Sequence, residues 1–179
     1  MNKCESCGAN LTVKTGQTYH FTESGVNNVY LENLQVEVCR KCKTVAPYLP
    51  QARQLMETIG RALAAQPAPL TGAAVRFLRK QAGHNTASWA RLVRADAVTQ
   101  TRWETGELAL EPPTELLHRL VYGYLLAERT EGKLPSQLLE RLADSPVGRA
   151  AVLIVINAEK PGEYAYRPAE ADKRLRRAA

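Results

Sequence analysis

Residues 70–106 read LTGAAVRFLRKQAGHNTASWARLVRADAVTQTRWETG. Thr71 is suited to cap a helix, because its hydroxyl can accept from an otherwise orphaned backbone N–H. Ala74, Val75, Leu78 and Ala82 follow at helical spacing, and Gly83 supplies the left-handed stop. A second amphipathic run covers Thr86 to Val93. Arg94 and Ala95 form a tight connection to Asp96, whose carboxylate can cap a third run, Ala97 to Thr105, ended by Gly106. Three short helices with a brief turn between the last two form a helix-turn-helix pattern. The third helix is expected in the major groove and the second across the phosphate backbone.

The charge of this stretch has the same sense. Arg76, Arg79, Lys80, Arg91, Arg94 and Arg102 stand against Asp96 and Glu104. A basic excess on a small helical unit suits phosphate contacts, which supply most non-specific affinity for DNA. An ordinary three-helix core with a solvated basic face fits the same charges.

The stretch resembles the helix-turn-helix of XRE-type (lambda-repressor-like) regulators. The resemblance lies in Val75-Arg76-Phe77-Leu78-Arg79-Lys80, in Ala90 and Leu92, and above all in Arg102-Trp103-Glu104-Thr105-Gly106-Glu107. In that family the aromatic residue belongs to the core, the Glu is structural and the Gly ends the recognition helix. Arg94 replaces the family's turn glycine, Thr86 its opening glutamine, and Gln100 a buried aliphatic residue. Ala97 and Val98 occupy the first two recognition positions, which are normally polar. Short apolar side chains touch a thymine methyl but make no bidentate bond to a base. Thr99, Thr101 and Arg102 are therefore the expected readers of base edges, with Ala97 and Val98 beside them. Arg76, Arg79, Lys80 and Arg91 are expected to neutralise phosphates, and Thr86 and Arg94 complete the expected DNA-binding set.

The N-terminal part carries the other strong signal. Cys4-Glu5-Ser6-Cys7 and Cys39-Arg40-Lys41-Cys42 hold the four cysteines of the chain. Two such pairs on tight turns can set four thiolates tetrahedrally around one zinc ion. Disulfides or a redox-active pair are the rival readings, disfavoured by the duplicated spacing and a cytoplasmic setting. Four sulfur ligands leave no open position, so the expected role is structural.

Between the pairs, Leu11, Val13, Tyr19 and Phe21, then Val29, Leu31, Leu34, Val36 and Val38, alternate as strands, with turns at Gly16 and Gly25. A small antiparallel sheet of the zinc-ribbon kind follows over residues 1–49, with His20 on a strand as a surface or packing residue. So small a unit draws much of its folding free energy from metal. Gln51 to Ala65 is a helix with Ala52, Leu55, Met56, Ile59 and Leu63 on one stripe. Gln66-Pro-Ala-Pro69 reads as a stiff extended linker, so residues 50–69 join the ribbon to the helical domain.

This order of parts is similar to the MqsA-type (YgiT-type zinc finger) antitoxins and related bacterial regulators. The resemblance covers roughly residues 4–126 and implies zinc on Cys4, Cys7, Cys39 and Cys42. It also implies an N-terminal domain that can bind a toxin and a C-terminal domain that dimerises on a palindromic operator. Arg102 is the DNA contact that carries over by position.

The helix-turn-helix domain extends over residues 70–130. Glu111-Pro112-Pro113 breaks the chain, and Thr114 can cap a helix to about Arg129. Its apolar stripe is Leu116, Leu117, Leu120, Val121, Tyr124 and Leu125, with His118 exposed on the other side. Residues 131–179 form a C-terminal extension outside the resemblance. In it, Pro135 to Ala143 reads as a helix. Ala151-Val-Leu-Ile-Val-Ile156 with Tyr164-Ala-Tyr166 fits either a hairpin or a buried helix, and a basic tail begins at Ala169.

Composition fits these parts. The chain has 179 residues, 45% of them hydrophobic, and a formal net charge of +6, which favours an anionic partner. Ala150 to Ile156, the longest apolar run, is far short of the roughly 20 residues of a membrane span. No signal-peptide core follows Met1, so the bacterial cytoplasm is the expected setting. Nothing resembles a phosphate loop, a nucleophile elbow or a second metal set, so no enzyme activity is expected. The fold expected is α+β: a Cys4 zinc ribbon, an all-α XRE-type domain and a small extension. The function expected is a homodimeric DNA-binding autorepressor of antitoxin type. The alternative is a protein-interaction module whose helix-turn-helix does not read DNA sequence.

Overall fold

The computed structural model describes residues 3–130 and 153–169. The fold is α+β. Strands β1 (Leu11–His20), β2 (Val29–Cys39) and β3 (Val45–Pro47) precede helix α1 (Ala52–Ala65). Helices α2 (Gly72–Gln81), α3 (Thr86–Leu92), α4 (Ala97–Thr105) and α5 (Pro112–Thr130) follow, then strands β4 (Leu153–Asn157) and β5 (Ala165–Ala169). The expected helix over residues 135–143 and the tail beyond Ala169 lie outside the described residues.

The five strands form one sheet with β2 at its centre. β1 runs antiparallel along one edge of β2, from Leu11 opposite Cys39 to His20 opposite Tyr30. The other edge is divided. β3 pairs antiparallel with Val36–Val38, near the cysteines, and β4 pairs parallel with Val29–Glu32. Residues 153–169 therefore take the hairpin form, and β4 brings it into the sheet of the N-terminal segment. Leu153, Ile154, Val155 and Ile156 are all buried, as the unbroken apolar run of a strand covered on both faces should be. A hairpin alone is marginal in water. The mixed sheet is what the sequence did not predict, because pairing partners some 120 residues apart leave no local signature.

Helix α1 lies between the sheet and the helical unit. Leu55, Ile59, Ala62 and Leu63 are fully buried and belong to one continuous core with Leu31, Ile154 and Ile156 of the sheet. The same core takes in Leu78 of α2, Trp89 of α3, Trp103 of α4 and Tyr122 of α5. Gly60 permits the close seating of α5: a Cβ there would meet the Tyr122 hydroxyl at 1.9 Å. Of residues 66–69, Gln66 has extended backbone (φ −68°, ψ 145°) and Pro69 is exposed, while Gln66 and Ala68 are buried.

Arg119 of α5 is the reason. Its side chain is 2% exposed. Nη1 donates to the carbonyls of Leu63, Ala64 and Gln66 at 2.8, 3.0 and 2.8 Å, and Nη2 to that of Ala68 at 2.6 Å. Glu115, one turn earlier, accepts from Nε at 3.0 Å and from Nη2 at 2.6 Å. The last carbonyls of α1 have no intrahelical donor, so one guanidinium satisfies that helix end and the segment after it. The Glu115–Arg119 spacing is readable in the sequence as an i,i+4 pair. The four carbonyls are not.

Within the helical unit, Thr71 caps α2 as expected, its hydroxyl accepting from Ala74 N at 3.2 Å. Gly72 is the point of closest approach between α2 and the end of α4. A Cβ there would lie 2.5 Å from the Trp103 carbonyl oxygen and 2.7 Å from that of Glu104. Neither backbone oxygen can swing aside. Gly72→Ala is therefore expected to destabilise the chain by about 1–3 kcal/mol, despite alanine's better helix propensity. Chemical denaturation checks this, and an unchanged midpoint would contradict it.

Candidate metal centre and nucleic-acid face

The first site is built by two turns of the same design. After Cys4 and Cys7, the Gly8 amide donates to the Cys4 carbonyl at 2.8 Å, with Gly8 at φ 70°. After Cys39 and Cys42, the Lys43 amide donates to the Cys39 carbonyl at 3.0 Å, with Lys43 at φ 64°. The pairing of Leu11 with Cys39 across β1 and β2 brings the two turns together.

All four Sγ atoms lie within 4.8 Å of one another. Cys4 faces Cys42 at 3.5 Å and Cys7 faces Cys39 at 3.4 Å, too far for a disulfide and close to a tetrahedron's edge. Four metal–sulfur bonds of about 2.3 Å would put sulfurs about 3.8 Å apart. The residues fit a metal ion. Thr44 assists: its hydroxyl lies 3.0 Å from Cys42 Sγ. That contact, followed by the Thr44 backbone amide, pushes the Cys42 thiol down to about 6. His20 takes no part, stacking on Tyr30 with ring centroids 4.5 Å apart and meeting the Asn27 carbonyl through Nε2 at 2.8 Å.

The second site is α4. Asp96 caps it, one carboxylate oxygen accepting from the amides of Val98 and Thr99 at 2.9 and 2.8 Å. The Thr99 amide, then its hydroxyl, holds the Asp96 carboxyl below the usual carboxylate range. The turn into the cap needs a left-handed residue, and Arg94 supplies it at φ 58° in place of glycine. The inner face of α4 carries Gln100, Trp103 and Glu104, all buried. The outer face carries Ala97, Val98, Thr101 and Arg102, which with Glu107 line one shallow depression. Val98 is 70% exposed.

Several expected contacts are corrected here. Arg79, expected on phosphates, is buried and forms a bidentate pair with Glu104, Nε to Oε1 at 2.6 Å and Nη2 to Oε2 at 2.7 Å. A carboxylate so enclosed requires a cation; Arg79 makes the close contacts, and Arg76, about half exposed, adds a longer one, its Nε 3.6 Å from Oε2. Burial pushes the Glu104 carboxyl up, but Arg79, Gln100 and Arg76 together hold it below its ordinary value.

His118, expected at the surface, is fully buried. Its Nε2 lies 3.1 Å from Gln100 Oε1 and its Nδ1 2.8 Å from the Thr114 carbonyl, with Trp103 edge-on at 5.5 Å between centroids. Gln100, standing where the resemblance places an aliphatic residue, donates through Nε2 to Glu104 at 2.8 Å. A buried Gln in α4 therefore requires a polar partner from α5, and His118 is that partner. Burial holds its imidazole below the ordinary value.

The threonines are corrected in part. Thr99 Oγ1 donates to Asp96 Oδ2 at 2.7 Å, and Thr101 Oγ1 to the Ala97 carbonyl at 2.9 Å. Neither hydroxyl proton is left for a base. Arg102 remains about half exposed, its Nε 3.1 Å from the Glu107 carboxylate. Lys80, Arg91 and Arg94 are exposed and Thr86 half-buried. Arg76 and Lys80 line a separate depression with Glu23, Met56 and Phe77, away from the outer face of α4.

No helix among the described residues is long and apolar enough to cross a membrane. Comparison with family models, with curated proteins and with solved structures returns no match for this chain.

Proposed function

We propose that this chain is a sequence-specific, DNA-binding transcriptional regulator of the XRE helix-turn-helix type, an antitoxin-like autorepressor acting as a homodimer on a palindromic operator. One observation carries the reading. Helix α4 is fixed from behind by buried Gln100, Trp103 and Glu104, while its whole outer face is left open with Arg102 on it. A recognition helix has that division between a rigid back and a free front. α3 would cross the backbone and present Arg91 to phosphates. A second copy would dock on the exposed side of α5, where Leu116 and Tyr124 stand among the exposed large hydrophobic residues.

The metal in this reading is zinc, held by Cys4, Cys7, Cys39 and Cys42. It supplies cross-linking of the two turns and no chemistry, since four sulfurs close the coordination shell. One bound zinc per chain by native mass spectrometry, with cobalt-substituted protein showing thiolate charge-transfer absorption, is the expected result. Failure to retain any metal would contradict it.

The DNA reading is tested with a labelled fragment of the gene's own upstream DNA against scrambled competitor at two salt concentrations. A discrete complex surviving the higher salt supports it. Arg102→Ala is expected to cost about 1–3 kcal/mol of discrimination at one base pair while leaving the fold intact. The second reading, a face for a partner protein such as a toxin, is favoured by the exposed Val98. Loss of all binding to competitor would select it.

A further inference from the structure

Resting on the DNA-binding reading, the structure assigns the outer face of α4 a specific substrate preference: it reads thymine C5-methyl groups through Ala97, Val98 and the Thr101 methyl, flanking one guanine taken by Arg102. The face offers little else to a base edge. Ala97 and Val98 have no polar side-chain atom, and among the described residues Val98 is the most exposed large hydrophobic one. Thr99 and Thr101 have both spent their hydroxyl protons within the helix, on Asp96 and on the Ala97 carbonyl. With its oxygen turned to its own backbone, Thr101 presents its methyl group instead, beside Ala97 and Val98 in the same depression.

A major groove displays one apolar feature that such a surface can bury, the thymine methyl. Cytosine would bring a polar N4–H₂ group and no methyl to Ala97 and Val98, whose side chains have no acceptor for it. Arg102 is the sole bidentate donor of the outer face and matches the O6/N7 edge of guanine. Glu107, which pairs with Arg102 in the free chain at 3.1 Å, would release it on binding.

The test uses the full zinc-loaded chain and the tightest duplex it enriches from a random pool. Each thymine of a half-site is replaced in turn by deoxyuracil, which removes the methyl and leaves every hydrogen-bonding group in place. One or more positions are expected to lose about fourfold in affinity each, the worth of one buried methyl. In Val98→Ala, which alters only an exposed side chain, the uracil penalty at one of those positions should shrink towards none.

Equal affinity for uracil and thymine duplexes would overturn the methyl reading and leave the DNA-binding reading standing. A uracil penalty that Val98→Ala does not change would overturn the assignment to this face. Failure to enrich any duplex would overturn both, and would point to a protein on the same apolar face.

Discussion

Arg119→Ala is expected to lower the unfolding free energy by about 3–5 kcal/mol, the usual result of removing one partner from a buried ionic cluster. The guanidinium serves four carbonyls and one carboxylate, and its side chain is only 2% exposed. Truncation leaves the carbonyls of Leu63, Ala64, Gln66 and Ala68 without that donor, and Glu115 without its cation. Against a total stability of about 5–15 kcal/mol, the loss is large enough to threaten folding at physiological temperature.

Arg119→Lys should recover only part of it. An ammonium has three donors at one point, whereas the observed contacts need a planar fork reaching several directions. Glu115→Gln should cost less than either, because the carbonyls keep their donors. Urea denaturation of the three variants, followed by far-ultraviolet circular dichroism, gives the order. If Lys matched the parent, the carbonyl array would not be what holds α1 to α5.

Removal of the zinc ion proposed for the four cysteines is expected to have the next largest effect. With zinc a thousandfold above its dissociation constant, linkage alone gives about 4 kcal/mol. For a chain of this size that corresponds to about 10 °C in Tm. The loss should not be uniform. Cys39 ends β2, and the paired segments nearest it, Leu11–Lys14 of β1 and all of β3, depend on the two turns being joined. The other half of β2 is paired with β4, and its Val29 and Leu31 are buried in the core shared with α1. Hydrogen exchange after chelation should therefore show lost protection at Thr12–Lys14 and Val36–Val38 and retained protection at Val29–Leu31 and throughout α1. Cys39→Ser should reproduce that pattern without chelator. Complete unfolding in either case would mean that the sheet and helices do not share stability as the packing implies.

Local signals determined much of this protein. The capping residues Thr71 and Asp96, the stop at Gly106 and the apolar spacing fixed α2 to α4 almost to the residue, because caps and helical periodicity act within a turn or two of chain. The paired C-x-x-C turns were equally legible, since a turn of four residues builds half of the cluster and its repeat supplies the other half. The C-terminal run could be seen as apolar and β-branched, but not as a strand beside β2.

What only tertiary structure decided were the partners of buried polar groups. Nothing within a turn of Arg79 or Arg119 says that one neutralises Glu104 and the other ties down the end of α1. From the sequence Arg79 looked available to phosphate, and nothing marked Arg119 as buried. His118 looked exposed because it lies off the main apolar stripe of α5, yet Gln100 of α4 arrives there to meet it. Charge and polarity are properties of a residue and can be counted along a chain. Whether a charge faces solvent or is consumed inside depends on which distant element packs over it, and that is settled only when the chain folds.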